Sequence, residues 1–130
     1  MLKILVVEDA RIVREPLCRL LKCEGFEVVS AGDGSEAMTA LNDRGADLVL
    51  LDVLMPRMDG IAFLTALRTD ARFKELPVLG LTGTTDSGRL SKLRELGVTT
   101  IVHKVRFTFD GLLEEIRHHL PEPAAEVAAH

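Results

Sequence analysis

A chain of 130 residues suits one domain, with a core large enough to stand without disulfides or metal staples. Its 47% hydrophobic and 28% charged content is ordinary for a soluble globular protein. The net charge of -4 leaves no electrostatic footprint for nucleic acid or an acidic membrane, so neither is expected as a partner.

The first element is a short continuous apolar run, Ile4 to Val7, ending in Glu8-Asp9. It is far too short for a signal peptide or a membrane span, which makes the cytoplasm the expected location. Arg11 to Cys23 then carries Ile12, Val13, Leu17, Leu20 and Leu21 at helical spacing, with Gly25 as a stop. Pro16 beyond the first turn removes a backbone bond and predicts a kink or a late helix start. Cys18 and Cys23 sit about 140° apart around that helix, too far round to pair readily, and read as reduced thiols. Phe26 to Ser30 is a second strand. Asp33-Gly34-Ser35-Glu36 offers N-cap residues for a helix through Ala37 and Leu41 that Gly45 ends.

The central stretch is Asp47-Leu48-Val49-Leu50-Leu51-Asp52. Four apolar residues without alternation predict a strand buried on both faces of a parallel sheet. Pro56 and Gly60 mark a loop, and Ile61, Phe63, Leu64 and Leu67 a helix with Asp59 as N-cap. A polar connection, Arg68 to Leu76, leads to Pro77 and the strand Val78-Leu79-Gly80-Leu81, which runs to Thr82. Leu90, Leu93 and Leu96 give a helix stopped by Gly97. Val98 to Val102 is a fifth strand, ending at His103-Lys104. Leu112, Leu113, Ile116 and Leu120 mark a last helix, closed by Pro121. Five strands alternating with five helices predict an α/β fold with a parallel sheet over residues 1–120, and 121–130 read as a tail or linker.

The strand ends collect Glu8, Asp9, Asp52, Thr82 and Lys104. An aspartate after a strand commonly only caps the next turn. Four strands delivering ionisable or hydroxyl groups to one edge, where open α/β sheets bind ligands, reverse that reading. Three crowded carboxylates repel, and either a shared cation or a proton relieves them. All-oxygen ligands around a small gap favour Mg²⁺. A lysine beyond the metal completes a setting for a phosphoryl group, in which a carboxylate attacks in line while metal and ammonium neutralise the equatorial oxygens.

Glu8-Asp9, Leu51-Asp52-Val53-Leu54-Met55-Pro56 with Asp59-Gly60, Leu81-Thr82-Gly83 and Lys104 together resemble a response-regulator receiver domain of two-component signalling, over about Leu2 to Leu120. The resemblance implies a flavodoxin-like (βα)5 doubly wound sheet of order 2-1-3-4-5. It implies Asp52 as phospho-acceptor, Asp9 as direct Mg²⁺ ligand, Glu8 acting through water and the Leu54 backbone carbonyl as a further ligand. Thr82 matches a switch hydroxyl, Gly83 keeps the pocket open, and Lys104 pairs with the phosphate. The implied function is a phosphorylation-controlled switch, not an enzyme beyond self-catalysed acceptance and loss of the group. The implied partner is a sensor histidine kinase or histidine phosphotransfer protein, with a weak homodimer allowed and an output partner unspecified.

The sequence departs from the family after Lys104, where Val105-Arg106-Phe107 replaces proline and an aromatic residue. A cis bond costs about 0.5–1 kcal/mol before proline but about 3–4 kcal/mol before valine, so a trans Lys104-Val105 bond is expected. Ile101 stands where an aromatic residue usually reports activation, which shifts the expected response to Thr82 and the loop beyond it.

Other readings are weaker. A haloacid-dehalogenase-type hydrolase needs a second aspartate two residues after Asp52, where Leu54 stands. A flavin module needs phosphate-cradling Ser, Thr and Gly where Glu8-Asp9-Ala10-Arg11 runs. A degenerate receiver acting by protein contacts alone is disfavoured by the intact acids, Thr82 and Lys104. His118-His119 read as helix-end residues, Phe107 and Phe109 as packing, and Arg89, Lys92 and Arg94 as a solvated face.

Overall fold

The computed structural model describes residues 2–52, 60–82, 87–103 and 108–119. The apolar runs become five strands: β1 (Lys3–Val7), β2 (Glu27–Ala31), β3 (Leu48–Asp52), β4 (Val78–Thr82) and β5 (Val98–His103). Between them lie α1 (Arg11–Cys23), α2 (Gly34–Arg44), α3 (Gly60–Thr69), α4 (Ser87–Glu95) and α5 (Phe109–His119). All strand pairs are parallel, in the order β2-β1-β3-β4-β5, as the resemblance implied.

The unbroken apolar runs follow from two cores. Successive strand residues point to opposite faces, so both faces of a central strand must be apolar. Leu5, Val7, Val49 and Leu51 pack with α2, α3 and α4 through Ala37, Leu41, Phe63, Leu64, Leu67 and Leu93. Ile4, Val6, Leu48 and Leu50 pack with α1 and α5 through Leu17, Leu21, Leu112, Leu113 and Ile116. All five residues of β3 are buried. Phe109 packs against the second core, as expected for that aromatic position.

Local signals set the helix ends. The Asp33 side chain caps α2 by accepting from the Glu36 N–H at 2.9 Å, and Glu36 Oε1 accepts from the Gly32 N–H at 2.7 Å. The late start considered for α1 is not seen. The helix begins at Arg11, with the Ala10 carbonyl accepting from Val13 and Arg14, and Pro16 lies inside it. Pro16 is exposed, as is Ile12, whose carbonyl loses the bond, so solvent reaches the gap. The α1 residues facing inward are Leu17, Cys18 and Leu21, leaving Ile12, Val13 and Leu20 outside.

Residues 68–76 are not simply a polar connection. They contain a 3-10 turn, Ala71–Phe73, capped by Asp70, with Phe73 buried beneath it. Lys104, Val105 and the bond between them, Asp59, Phe107, Leu120 and the tail 121–130 lie outside the described residues. Both cysteines are free. Burial raises the pKa of the Cys18 thiol against the pull of Lys22 and Arg14, while Cys23 is exposed. Among the described residues, no helix is long and apolar enough to cross a membrane.

Candidate functional site

The parallel register decides which strand ends meet. Val7 pairs with Leu51, so Glu8 emerges beside Asp52. Asp52 in turn pairs with Leu81 on β4, one residue before Thr82. The backbone of Thr82 pairs with that of His103, the residue preceding Lys104. Sequence periodicity places Glu8, Asp52 and Thr82 at strand ends, and the ladder places their backbones on one edge.

Glu8 and Asp52 are 0% and 1% exposed, while Asp9 is open to solvent. One carboxylate oxygen from each of the three lies within 4.8 Å of the others. An octahedral Mg²⁺ with ligands at about 2.0–2.1 Å spans opposing oxygens about 4.2 Å apart, so this spacing accepts the ion with small adjustments or an intervening water. Backbone bonds hold the loop that carries two of the acids. The Glu8 N–H donates to the Ala31 carbonyl at 3.1 Å, and the Ala10 N–H donates to Glu8 Oε2 at 3.3 Å.

Of the residues expected at the site, the structure brings together Glu8, Asp9 and Asp52, and sets the Thr82 backbone at the same edge. Leu54, Gly83 and Lys104 lie outside the described residues. Ile101 lies within β5, half-buried against the first core. His119 stays away from the site: its Nε2 lies 3.0 Å from Thr100 Oγ1 and 3.7 Å from Glu115 Oε2, more engaged than a plain helix-end residue.

Residues 4–117 match the response regulator receiver domain family. The CAI-1 autoinducer sensor kinase/phosphatase CqsS of Vibrio cholerae is 33% identical over 103 residues, covering 78% of this chain and 15% of that protein. Protein PilG of Pseudomonas aeruginosa is 30% identical over 120 residues, covering 92% of this chain and 88% of that one. The structure of the chemotaxis protein CheY4 of Vibrio cholerae superposes with a TM-score of 0.86 at 32% identity, over 92% of this chain and 99% of the other. The chain thus spans nearly all of PilG and CheY4 but a small part of CqsS. Because the family match runs from β1 into α5 and takes in the whole sheet, the chain belongs to the response regulator receiver domains, the phosphorylation-controlled signalling switches of two-component systems.

Proposed function

We propose that Asp52 accepts a phosphoryl group from a phosphohistidine on a sensor histidine kinase or phosphotransfer protein, in the cytoplasm. The observation that carries this reading is the meeting of Asp52 with Glu8 and Asp9, three carboxylate oxygens within 4.8 Å of one another at the carboxyl edge of a parallel sheet. Glu8, Asp9, Asp52 and the Leu54 carbonyl would hold Mg²⁺, which when bound supplies positive charge to the equatorial phosphoryl oxygens. An Asp52 oxygen forms the new P–O bond as the donor's P–N bond breaks and its electron pair leaves with the imidazole. The Thr82 hydroxyl then takes up a phosphoryl oxygen and Lys104 pairs with another, which couples the modification to the segment after β4. Attack by water on the acyl phosphate would return the chain to its resting state without a second enzyme. The direct test is to incubate the chain with Mg²⁺ and a small acyl-phosphate donor and weigh it intact. A gain of one phosphoryl group that disappears when Mg²⁺ is chelated is expected. An unchanged mass with both present would sink the proposal.

The metal assignment has its own check. Asp9→Ala is expected to lose Mg²⁺ binding more completely than Glu8→Ala, because the buried Glu8 acts through water, and affinity should fall as pH drops and the carboxylates take up protons. Calorimetric titrations of both variants that match the unaltered chain would place the ion elsewhere.

Ile12, a large apolar side chain 85% exposed at the start of α1 and three residues past Asp9 in sequence, is a candidate contact for a protein donor. Ile12→Glu is expected to slow transfer from a phosphorylated histidine kinase by about tenfold, the effect of losing one apolar contact at the docking surface. Labelling by the small donor should not change. Equal rates from the kinase with both chains would remove Ile12 from the contact.

A further inference from the structure

Glu8 is the point where the last bond of a strand ladder gives way to the loop that presents two of the three acids. Its N–H is held by the Ala31 carbonyl of β2. Its own carbonyl accepts from Arg14 Nη1 at 2.7 Å, a bond reaching back from the second turn of α1. Arg14 is half-buried, and the turn between β2 and α2 lies against it. At Gly32 an added Cβ would stand 3.0 Å from Arg14 Nη1 and 3.4 Å from Glu36 Oε1, and the Gly32 N–H is itself bound to Glu36 Oε1. The guanidinium therefore lies close against Gly32, where an added Cβ would press on Nη1, and from there it meets the Glu8 carbonyl.

A charge-assisted bond to a carbonyl fixes the plane of the peptide it belongs to. The peptide in question joins Glu8 to Asp9. We propose that Arg14 is a positioning residue for the metal and phosphoryl site: by holding the Glu8-Asp9 peptide it sets the directions from which both carboxylates reach the ion. It also keeps a fixed positive charge behind a group of acids that otherwise repel. This inference rests on reading Glu8, Asp9 and Asp52 as the Mg²⁺ site. A residue that only fastened α1 to the sheet would alter stability and leave metal affinity alone.

The test compares the unaltered chain with Arg14→Met, Arg14→Lys and Gly32→Ala by following backbone amide shifts during Mg²⁺ titration, without a phosphodonor. Labelling rates with an acyl phosphate are then measured as a function of Mg²⁺. Arg14→Met is expected to raise the half-saturating Mg²⁺ about tenfold, the low end of the effect of removing a group that orients metal ligands. Its labelling should reach half its maximal rate at a correspondingly higher Mg²⁺ concentration. Arg14→Lys keeps the charge and one donor and should recover part of the affinity. Gly32→Ala leaves every charged residue in place but crowds Nη1, so a smaller rise in the same direction is expected. Unchanged half-saturation in a folded Arg14→Met would overturn the proposal, as would unchanged half-saturation in Gly32→Ala should Arg14→Met not fold. Absence of Mg²⁺-dependent shifts in the unaltered chain would overturn the metal reading itself, and this inference with it.

Discussion

Asp52→Asn is expected to abolish labelling by an acyl phosphate while leaving the fold intact. Asparagine matches aspartate in size and shape, so the end of β3, where Asp52 is 1% exposed, need not open to receive it. What changes is the chemistry of one oxygen. A carboxylate oxygen carries the charge that forms the bond to phosphorus, whereas an amide oxygen shares its electrons with nitrogen and is a poor nucleophile. Neither neighbouring acid is placed to substitute. In this reading Glu8 and Asp9, whose oxygens lie within 4.8 Å of Asp52, are taken up in holding the ion. Intact mass measurement should show one phosphoryl group on the unaltered chain and none on the variant, with circular dichroism showing both folded. Full labelling of Asp52→Asn would move the acceptor to another residue.

The parts of this molecule that were legible in the sequence are those written in side-chain character. Leu48 to Leu51 announced a doubly buried strand because both faces of a central parallel strand need apolar groups, and β3 is buried throughout. Asp33 announced a cap, and it caps. The two-core packing follows from the same runs, since alternate residues supply each face. The strand order could not be read from periodicity, which is local, and came from the family resemblance instead. The register that sets Glu8 beside Asp52 is equally non-local. On α1, apolar spacing alone suggested an inward role for Ile12 and Leu20. Their exposure depends on which face the sheet covers, and the covered face centres on Leu17 and Leu21. Arginines were the least legible residues. Arg14 and Arg68 both donate to backbone carbonyls, and such a bond leaves no complementary residue in the sequence to reveal it.

Arg68→Met is expected to produce the largest loss of stability among these substitutions, with little effect on phosphoryl acceptance. The guanidinium makes five bonds to carbonyls. Nε donates to Leu96 at 2.8 Å, Nη2 to Gly97 at 3.0 Å, and Nη1 to Phe73, Lys74 and Leu76 at 3.1, 3.1 and 2.8 Å. These carbonyls belong to the 3-10 segment leading into β4 and to the turn between α4 and β5, so one side chain ties two connections to the end of α3. Burial lowers the pKa of Arg68 below its ordinary value, the mark of a cation partly withdrawn from water, although arginine remains charged at neutral pH. Gly97 completes the fit. Its φ of +82° suits glycine, and a Cβ there would come within 3.1 Å of the guanidinium. Hydrogen bonds to a charged group contribute about 1.5–3 kcal/mol each, but several of these carbonyls are near solvent and recover water when the arginine is removed. A net cost of about 3 kcal/mol is therefore expected. For a domain of this size that lowers the melting temperature by about 10 °C. Methionine keeps much of the stem's apolar contact, which confines the loss to the polar network. Lysine, a single point donor, should recover only a small part. All five bonds lie at the amino-terminal edge of β4 and β5, opposite the acids, so below its melting temperature the variant should take up a phosphoryl group as the unaltered chain does. A melting temperature within about 2 °C of the unaltered chain would show that the five carbonyls are satisfied as well by water as by Arg68.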